Sequence, residues 1–145
     1  MKNINEEVLE AWLKLTTVIS NTKIVSDMPY NEALICNFLY NNQLQSPEHP
    51  LTATDLCRQT KMLKSQMNRT LQSMENKQLI TRRRSDSDKR QVFIFLNTRS
   101  GAFKKQHEKS LQIINSLTDK IGPEKTKDIA NLFNTIADLA QETIK

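Results

Sequence analysis

The chain is short of the two residues that most often interrupt helices. Only two glycines and four prolines occur among its 145 residues, so few positions suit tight turns or left-handed bends. Neither GxGxxG nor GxxxxGKS/T is present, which argues against the common phosphate-cradling loops. With 37% hydrophobic residues and many Lys, Gln, Leu and Glu, the composition favours one mostly helical domain.

Cysteine, histidine and long apolar runs are also scarce. Cys36 and Cys57 are too few for a disulfide scaffold, and their apolar surroundings predict reduced, buried thiols. His49 and His107 have no HxxxH spacing and no CxxC occurs, so we expect no metal site and no cofactor. Without a signal peptide, a transit peptide or a bilayer-long apolar run, the expected location is the cytoplasm. No nucleophile–base pair is recognisable, which argues against an enzyme.

Positive charge is plentiful and concentrated. The net charge is +5, but the segment from Arg58 to Val92 alone carries +7 and the rest of the chain −2. This basic segment contains Arg58, Lys61, Lys64, Arg69, Lys77, Arg82, Arg83, Arg84, Lys89 and Arg90. Charge of one sign gathered in this way is the electrostatic footprint of a protein that binds a polyanion such as nucleic acid.

Apolar residues recur at helical spacing on either side of the basic segment. A first helix is predicted over residues 4–20, and a break at residues 27–29 separates it from a second helix. Gly122, followed by proline, divides the C-terminal part into two more helices, the first capped by Asn97 or Thr98. The last helix has an apolar stripe too wide for one partner: Ile129, Leu132, Phe133, Ile136, Leu139, Ala140 and Ile144.

The basic segment predicts a short helix, a tight turn and a second helix. The short helix follows a strand-like entry, has Thr52 or Thr54 as its N-cap and ends at about Thr60. The second helix covers residues 64–77 and buries one stripe, formed by Met67, Leu71 and Met74. In a helix-turn-helix the second helix lies in the DNA major groove. The side chains expected to contact bases or phosphates are Thr54, Lys64, Ser65, Gln66, Asn68 and Arg69.

A β-hairpin with a charged tip is predicted immediately after this helix. Strands at residues 79–84 and 90–96 flank the polar turn 85–88. Its basic side chains expected to reach DNA are Arg82, Arg84, Lys89 and Arg90. Asp88 is expected to orient Arg90 through an ion pair. The same charges would also suit a solvated sheet edge, but the hairpin and the polar helix face together favour DNA.

Several runs of residues together resemble the MarR family of bacterial regulators. They are 51–56, 65–69, 74–86, 88–90 and Leu96, so that the resemblance is specific from Leu51 to Gly101. It implies a winged-helix dimer whose first and last helices interlock, with a recognition helix at 64–77 and a wing at 79–96. The family's wing signature Asp-x-Arg is matched by Asp88 and Arg90, and by that match Arg90 would be the minor-groove arginine.

Five positions depart from the family's pattern. Lys61 stands where many members have Gly in the turn before the recognition helix, and Leu63 where a Ser cap is frequent. Gln78 replaces a common Gly at the end of that helix and would be strained if its backbone is left-handed. Asn97 stands where Thr is usual, and Gly101 comes one position late. None of these changes removes a DNA-facing group.

The fold class predicted is therefore mainly α with a small β-hairpin wing. A winged helix-turn-helix at residues 30–97 would be flanked by dimerisation helices at 1–29 and 98–145. The resemblance implies a sequence-specific transcriptional regulator, expected to be a repressor, that binds a pseudo-palindromic operator in double-stranded DNA as a homodimer. Two alternatives stay open: a winged-helix module that binds protein, and a coating protein that binds DNA without sequence preference.

The resemblance also implies a small, aromatic effector that releases DNA. The residues expected to line its crevice are Trp12, Tyr30, Phe38, Tyr40 and His107. Aromatic residues at helical spacing and a lone histidine in an apolar stripe are more often core residues, so both interpretations stay open. A redox role for either cysteine is disfavoured, because few cations lie near enough to lower a thiol pKa.

Overall fold

The structure, a computed structural model, describes residues 1–22 and 28–143. These residues form α1 (Ile4–Thr22), α2 (Tyr30–Gln45), β1 (Leu51–Thr52), α3 (Ala53–Thr60), α4 (Lys64–Asn76), β2 (Ile80–Arg84), β3 (Val92–Leu96), α5 (Ala102–Ile121) and α6 (Pro123–Thr143). The predicted fold class is confirmed. Asp27, in the predicted break, and Ile144, in the last predicted stripe, lie outside the described residues. No helix among the described residues is long and apolar enough to cross a membrane.

The chain divides into two compact units, residues 1–109 and 110–145. In the first unit, α2, α3 and α4 pack around a three-stranded sheet. The predicted stripe of α4 is confirmed, since Met67, Leu71 and Met74 are all fully buried. The core they share also contains Ile35, Cys36, Leu39, Leu51, Leu56, Leu79, Ile80, Ile94 and Leu96.

The sheet extends the predicted hairpin by one short strand. Its order is β1-β3-β2, and both pairings are antiparallel. The strand-like entry at Leu51 is β1, and Leu51 pairs with Ile94. Successive side chains of a strand point to opposite faces, and Ile94 and Leu96 are accordingly buried while Phe93 and Phe95 are only half-buried. The face with Ile94 and Leu96 is therefore the one that packs on the core.

Helix α3 begins with a reciprocal cap. The Thr52 hydroxyl accepts a hydrogen bond from the Asp55 backbone N–H at 3.1 Å, and the Asp55 carboxylate accepts one from the Thr52 N–H at 3.0 Å. This capping box satisfies two backbone donors at the helix end. Of the two N-caps that the sequence allowed, Thr52 is thus the one used, and Thr54 lies exposed in the first turn.

The predicted start of the first C-terminal helix at Asn97 or Thr98 is wrong, because α5 begins at Ala102. The Asn97 N–H donates to the Leu79 carbonyl at 2.9 Å. Asn97 therefore continues the pairing beside the strands instead of capping a helix. Gly101 has φ of 70°, a left-handed bend that glycine adopts without strain, and the helix starts directly after it.

Two non-glycine residues occupy left-handed backbone in the turns that precede and follow α4. Lys61 ends α3 with φ of 64°, and Gln78 follows α4 with φ of 62°. The Leu79 N–H donates to the Met74 carbonyl at 2.9 Å, which makes the bend at Gln78 part of the helix termination. A β-carbon in this conformation is costly. The departure from glycine noted at Gln78 is thus a strained position.

Terminal helices in both units expose apolar side chains. Trp12 of α1 is 54% exposed, and in the second unit Phe133 of α6 is 54% exposed. The other exposed large hydrophobic residues of α1, α5 and α6 are Ile4, Val8, Leu9, Leu13, Leu15, Val18, Ile19, Leu111, Ile114, Leu117, Ile121, Leu132 and Leu139. Apolar surface of this extent is typical of an interaction site.

Replacing Gln78 by glycine should stabilise the protein. Relief of the left-handed strain outweighs the extra freedom of the unfolded chain, and we expect Gln78→Gly to raise the free energy of unfolding by about 0.5–1 kcal/mol. Urea denaturation followed by circular dichroism measures the change. The matched control is Gln59→Gly in the last turn of α3, which should lower it by a similar amount. A lower unfolding midpoint for Gln78→Gly would contradict the strain at this position.

Candidate nucleic-acid interface

A groove of about 430 Å³ lies between the start of α3, helix α4 and the hairpin of β2 and β3, which is called the wing from here on. Five residues that the sequence predicts to contact DNA line it together: Thr54, Lys64, Asn68, Arg82 and Arg90. Arg58 and Gln91, which were not among the predicted contacts, line it as well. Side chains from three elements of the basic segment thus meet in one place.

Three further predicted contacts of α4 are outside this groove. Ser65 and Arg69 are exposed, and Gln66 is half-buried. Ser65 and Arg69 are four residues apart and share one face of the helix, whereas the buried stripe through Met67 and Leu71 faces the core. The outward surface of α4 is therefore polar and basic.

Arg82 fastens the wing to α4. One guanidinium nitrogen, Nη2, donates to Gln72 Oε1 at 2.8 Å and to Glu75 Oε1 at 3.0 Å. The Arg82 side chain is only 27% exposed. These two α4 partners were not predicted. The sequence feature that indicates this orientation is the alternation of β2, which places Arg82 on the same face as the buried Ile80 and so towards the helix.

Arg83 points to the opposite face of the sheet. Its guanidinium carbon lies 5.1 Å from the centre of the Phe95 ring, within the range of a cation–π contact. Arg83 was counted in the basic segment but not among the predicted DNA contacts. The strand alternation and this ring contact keep it apart from the groove.

The turn of the wing is built from backbone hydrogen bonds and one buried serine. The Ser85 N–H donates to the Gln91 carbonyl and the Gln91 N–H to the Asp88 carbonyl, both at 2.9 Å. The hydroxyl of Ser85, which is buried, accepts the Asp88 N–H at 3.2 Å. Arg84 Nη1 donates to the Lys89 carbonyl at 2.7 Å, across the turn. Both Arg84 and Lys89 stay exposed.

Asp88 binds both the backbone and the side chain of Arg90. Its Oδ1 accepts the Arg90 backbone N–H at 3.1 Å and the side-chain Nε–H at 3.2 Å. The two residues therefore form the ion pair that the sequence suggested. The Arg90 side chain remains 92% exposed, so that its charge is available at the surface of the wing.

A buried carboxylate connects the C-terminal end of α4 to α2. Glu32 is 5% exposed, and Lys77 Nζ donates to both of its carboxylate oxygens at 3.0 Å. The Ser73 hydroxyl lies 3.4 Å from the same carboxylate. No sequence motif indicates this pair, because its members are 45 positions apart in the sequence. Lys77 thus neutralises an internal charge.

The two cysteines differ in their surroundings, and both are free. Cys36 is 1% exposed, and burial raises the pKa of its thiol to about 12, with the negative charge of Glu32 adding to the rise. Cys57 is half-buried, so the prediction that both thiols are buried holds for Cys36 alone. A thiol that stays protonated is a poor nucleophile.

Cys36 should therefore resist alkylation in the folded protein. At pH 8 we expect iodoacetamide to modify Cys57 and to leave Cys36 unmodified, as measured by mass spectrometry of the peptides over time. The variant Cys57→Ser should then show no modification, and unfolding it in urea should expose Cys36 and serve as the control. Equal rates for the two thiols in the folded protein would contradict the assigned burial.

Two of the five residues predicted to line an effector crevice contact each other. The rings of Tyr40 and His107 lie 4.7 Å apart, and Phe103 completes the cluster at 5.3 Å from Tyr40 and 5.1 Å from His107. Phe38 packs on the core, as do Tyr40 and Phe103.

The other two predicted crevice residues, Trp12 and Tyr30, are 54% and 68% exposed. The predicted set is thus not a single cluster among the described residues of the chain.

A profile of the MarR family matches residues 26–91, which include α2, the helix-turn-helix and most of the wing. None of the curated proteins compared with the chain matches its sequence.

Solved structures match nearly the full length. The MarR family transcriptional regulator Sco3205 from Streptomyces coelicolor, solved in complex with DNA, is 17% identical, with a TM-score of 0.69 over 95% of this chain and 89% of that one. AbsC, a MarR family transcriptional regulator from the same organism, is 18% identical, with a TM-score of 0.70 over 98% and 97%. The Streptomyces coelicolor regulator PcaV, solved with its natural ligand, is 13% identical, with a TM-score of 0.64 over 91% of each chain. At these identities the likeness shows the fold.

Proposed function

We propose that this chain, whose residues 26–91 match the profile of the MarR family, regulates transcription by binding specific sites in double-stranded DNA. The observation that carries the proposal is the groove in which Lys64 and Asn68 of α4 meet Arg90 of the wing. A basic surface formed by a recognition helix and a wing matches both the charge and the two grooves of a DNA duplex. The proposed location is the cytoplasm, and the proposed activity is binding without catalysis.

Helix α4 would read bases in the major groove. Ser65, Gln66, Asn68 and Arg69 provide the groups that recognise base edges, since amides pair with adenine and arginine with guanine. Lys64, at the first position of the helix, and Thr54, exposed in the first turn of α3, are placed to hold phosphates. The division between positioning and reading contacts follows the usual pattern of such interfaces.

The wing would supply the second contact. Arg90 enters the minor groove in this proposal, with Asp88 restricting its orientation before DNA arrives. Arg84 and Lys89, both exposed at the tip, would contact the backbone. Arg82 has its guanidinium engaged by Gln72 and Glu75. We therefore assign Arg82 to fixing the angle between the wing and α4, which departs from the direct contact expected of it.

The regulator is proposed to act as a homodimer. Apolar side chains of α1 in the first unit and of α6 in the second are exposed to water. A second copy of the chain would bury them through contacts of residues 1–29 and 98–145. A two-fold dimer presents two recognition helices about one DNA turn apart, which requires a pseudo-palindromic operator. Bound across a promoter, such a dimer would act as a repressor.

Release by a small aromatic effector completes the proposal. In this chain Tyr40 and His107 already contact Phe103. An effector that used these rings would have to separate or cover them, and so would change the packing between α2 and the start of α5. Trp12 and Tyr30, which are exposed, have surface to offer such a molecule.

Arg90→Ala should weaken DNA binding several-fold. Each lost cation also reduces the salt dependence of binding, by about one unit of slope for each copy of the chain. The measurement is fluorescence anisotropy on duplex DNA from upstream of the protein's own gene and on a scrambled duplex, at several salt concentrations. Arg99→Ala, an exposed arginine in the loop before α5, is the matched control and should change neither quantity.

Three results would contradict parts of the proposal. An unchanged isotherm for Arg90→Ala would remove this residue from the interface. Equal, salt-sensitive binding of both duplexes, and of duplexes drawn from a random library, would favour a coating protein. No binding of any duplex would favour a winged-helix module that binds protein.

Phe133→Glu should convert the dimer to a monomer. A carboxylate at this 54% exposed position of α6 would be buried without a partner in a dimer, while the isolated chain would tolerate it. Sedimentation velocity at micromolar concentration gives the mass of each species. Leu44→Glu, at a 65% exposed position of α2, is the control and should remain dimeric. A wild-type chain that sediments as a monomer would refute the proposed assembly.

A further inference from the structure

Leu63 is an exposed leucine at the start of the recognition helix. It is the N-cap of α4, with φ of −68° and ψ of 150°, and its carbonyl accepts the Met67 N–H at 2.8 Å. The residue is 72% exposed, and its side chain makes no capping hydrogen bond. The position is thus defined by the backbone, and the side chain extends into solvent.

A leucine is a poor choice for this position if only the helix is considered. N-caps are usually Ser, Thr, Asp or Asn, whose oxygen accepts a backbone N–H. The same chain uses such a residue at α3, where Thr52 forms the capping box. At α4 the helix gives up this stabilisation and leaves an apolar side chain in water. Helix formation therefore does not explain Leu63.

Leu63 is also separate from the other exposed apolar surfaces. Of the exposed large hydrophobic residues described, it alone lies within the basic segment. The side chains proposed to pair two copies of the chain belong to residues 1–29 and 98–145. In the winged-helix region the other exposed ones, Tyr30 and Leu44, lie on α2. Dimer formation therefore does not explain Leu63 either.

We infer that Leu63 is a specificity-determining residue that contacts the 5-methyl group of thymine in the major groove. This inference rests on the proposed function. The N-terminal end of a recognition helix is the part that meets base edges. Among the four bases, only thymine presents an apolar group on that edge. Lys64, the next residue, lines the basic groove and places the same end of the helix against DNA.

The expected preference is modest and measurable. Burying one methyl group against the leucine should strengthen binding about fourfold relative to a base that lacks it. Cytosine lacks the methyl group, and uracil lacks it without any change in hydrogen bonding. Replacing thymine by uracil therefore isolates this contact from every polar contact of the interface.

The test begins with selection of preferred duplexes from a random library by the full-length protein. In the selected duplex each thymine is then replaced by uracil, one position of the half-site at a time, and binding is measured by anisotropy. At one thymine position per half-site, the replacement should lower the affinity of the wild-type protein for the duplex about fourfold. With Leu63→Ala the same replacement should have no effect, and the thymine-containing duplex should bind about as weakly as the uracil duplex binds the wild type.

Two variants separate the contact from the fold. Leu63→Ser installs a regular N-cap, so it should retain or raise the unfolding midpoint and still lose the dependence on the methyl group. Leu44→Ala removes a leucine of similar exposure from α2 and should keep the full dependence on uracil. Thermal unfolding of each variant checks that the chain is folded.

The outcomes distinguish this inference from the proposed function. A selected duplex in which no uracil replacement weakens binding overturns the role of Leu63 alone. The same holds if Leu63→Ala shows the same loss as the wild type. If selection yields no preferred duplex, the proposed function and this inference fall together.

Discussion

The burial of one narrow stripe of α4 is the constraint on which the rest of the structure depends. Met67, Leu71 and Met74 have no exposed surface, and this fixes the rotation of the helix about its own axis. Once the stripe is inside, helical geometry leaves Ser65 and Arg69 outside and sets Lys64 and Asn68 beside the wing. The polar face is therefore a by-product of core packing, and a change of helix phase would disturb the core and the candidate interface together.

Acidic residues organise the basic segment. Glu32 neutralises Lys77 from inside, Glu75 holds Arg82 against α4, and Asp88 fixes the root of Arg90. Each ion pair restricts the position of a basic side chain, and its carboxylate offsets part of the positive charge. What the composition presents as a uniform positive block is thus two groups: cations that hold elements together, and exposed cations at the tip of the wing and on α4.

Local patterns predicted local structure well. The period of α4, the alternation in β2 and β3, and the ion pair of Asp88 with Arg90 are all short-range, and all are present. The start of α5 was misplaced because Asn97 is a good cap by type, and only the pairing with Leu79 shows that it belongs to the sheet.

Contacts between distant segments could not be predicted in the same way. The Glu32–Lys77 pair joins residues that no local pattern relates. The two α4 partners of Arg82 depend on how the wing lies against α4, which the sequence alone does not specify. The three-ring cluster likewise depends on the packing of α2 beside the start of α5.

Backbone strain in the turns before and after α4 has a consequence for how this chain can change. Lys61 and Gln78 hold left-handed conformations outside the face formed by Ser65 and Arg69. A reserve of stability is therefore available at positions outside the polar face of α4, and it can be released without altering that face. A chain that has released it can absorb the destabilisation that new side chains on this face bring. Relief of strain in these two turns would therefore let the polar face of α4 accept more substitutions before the fold is lost, in nature or in the laboratory.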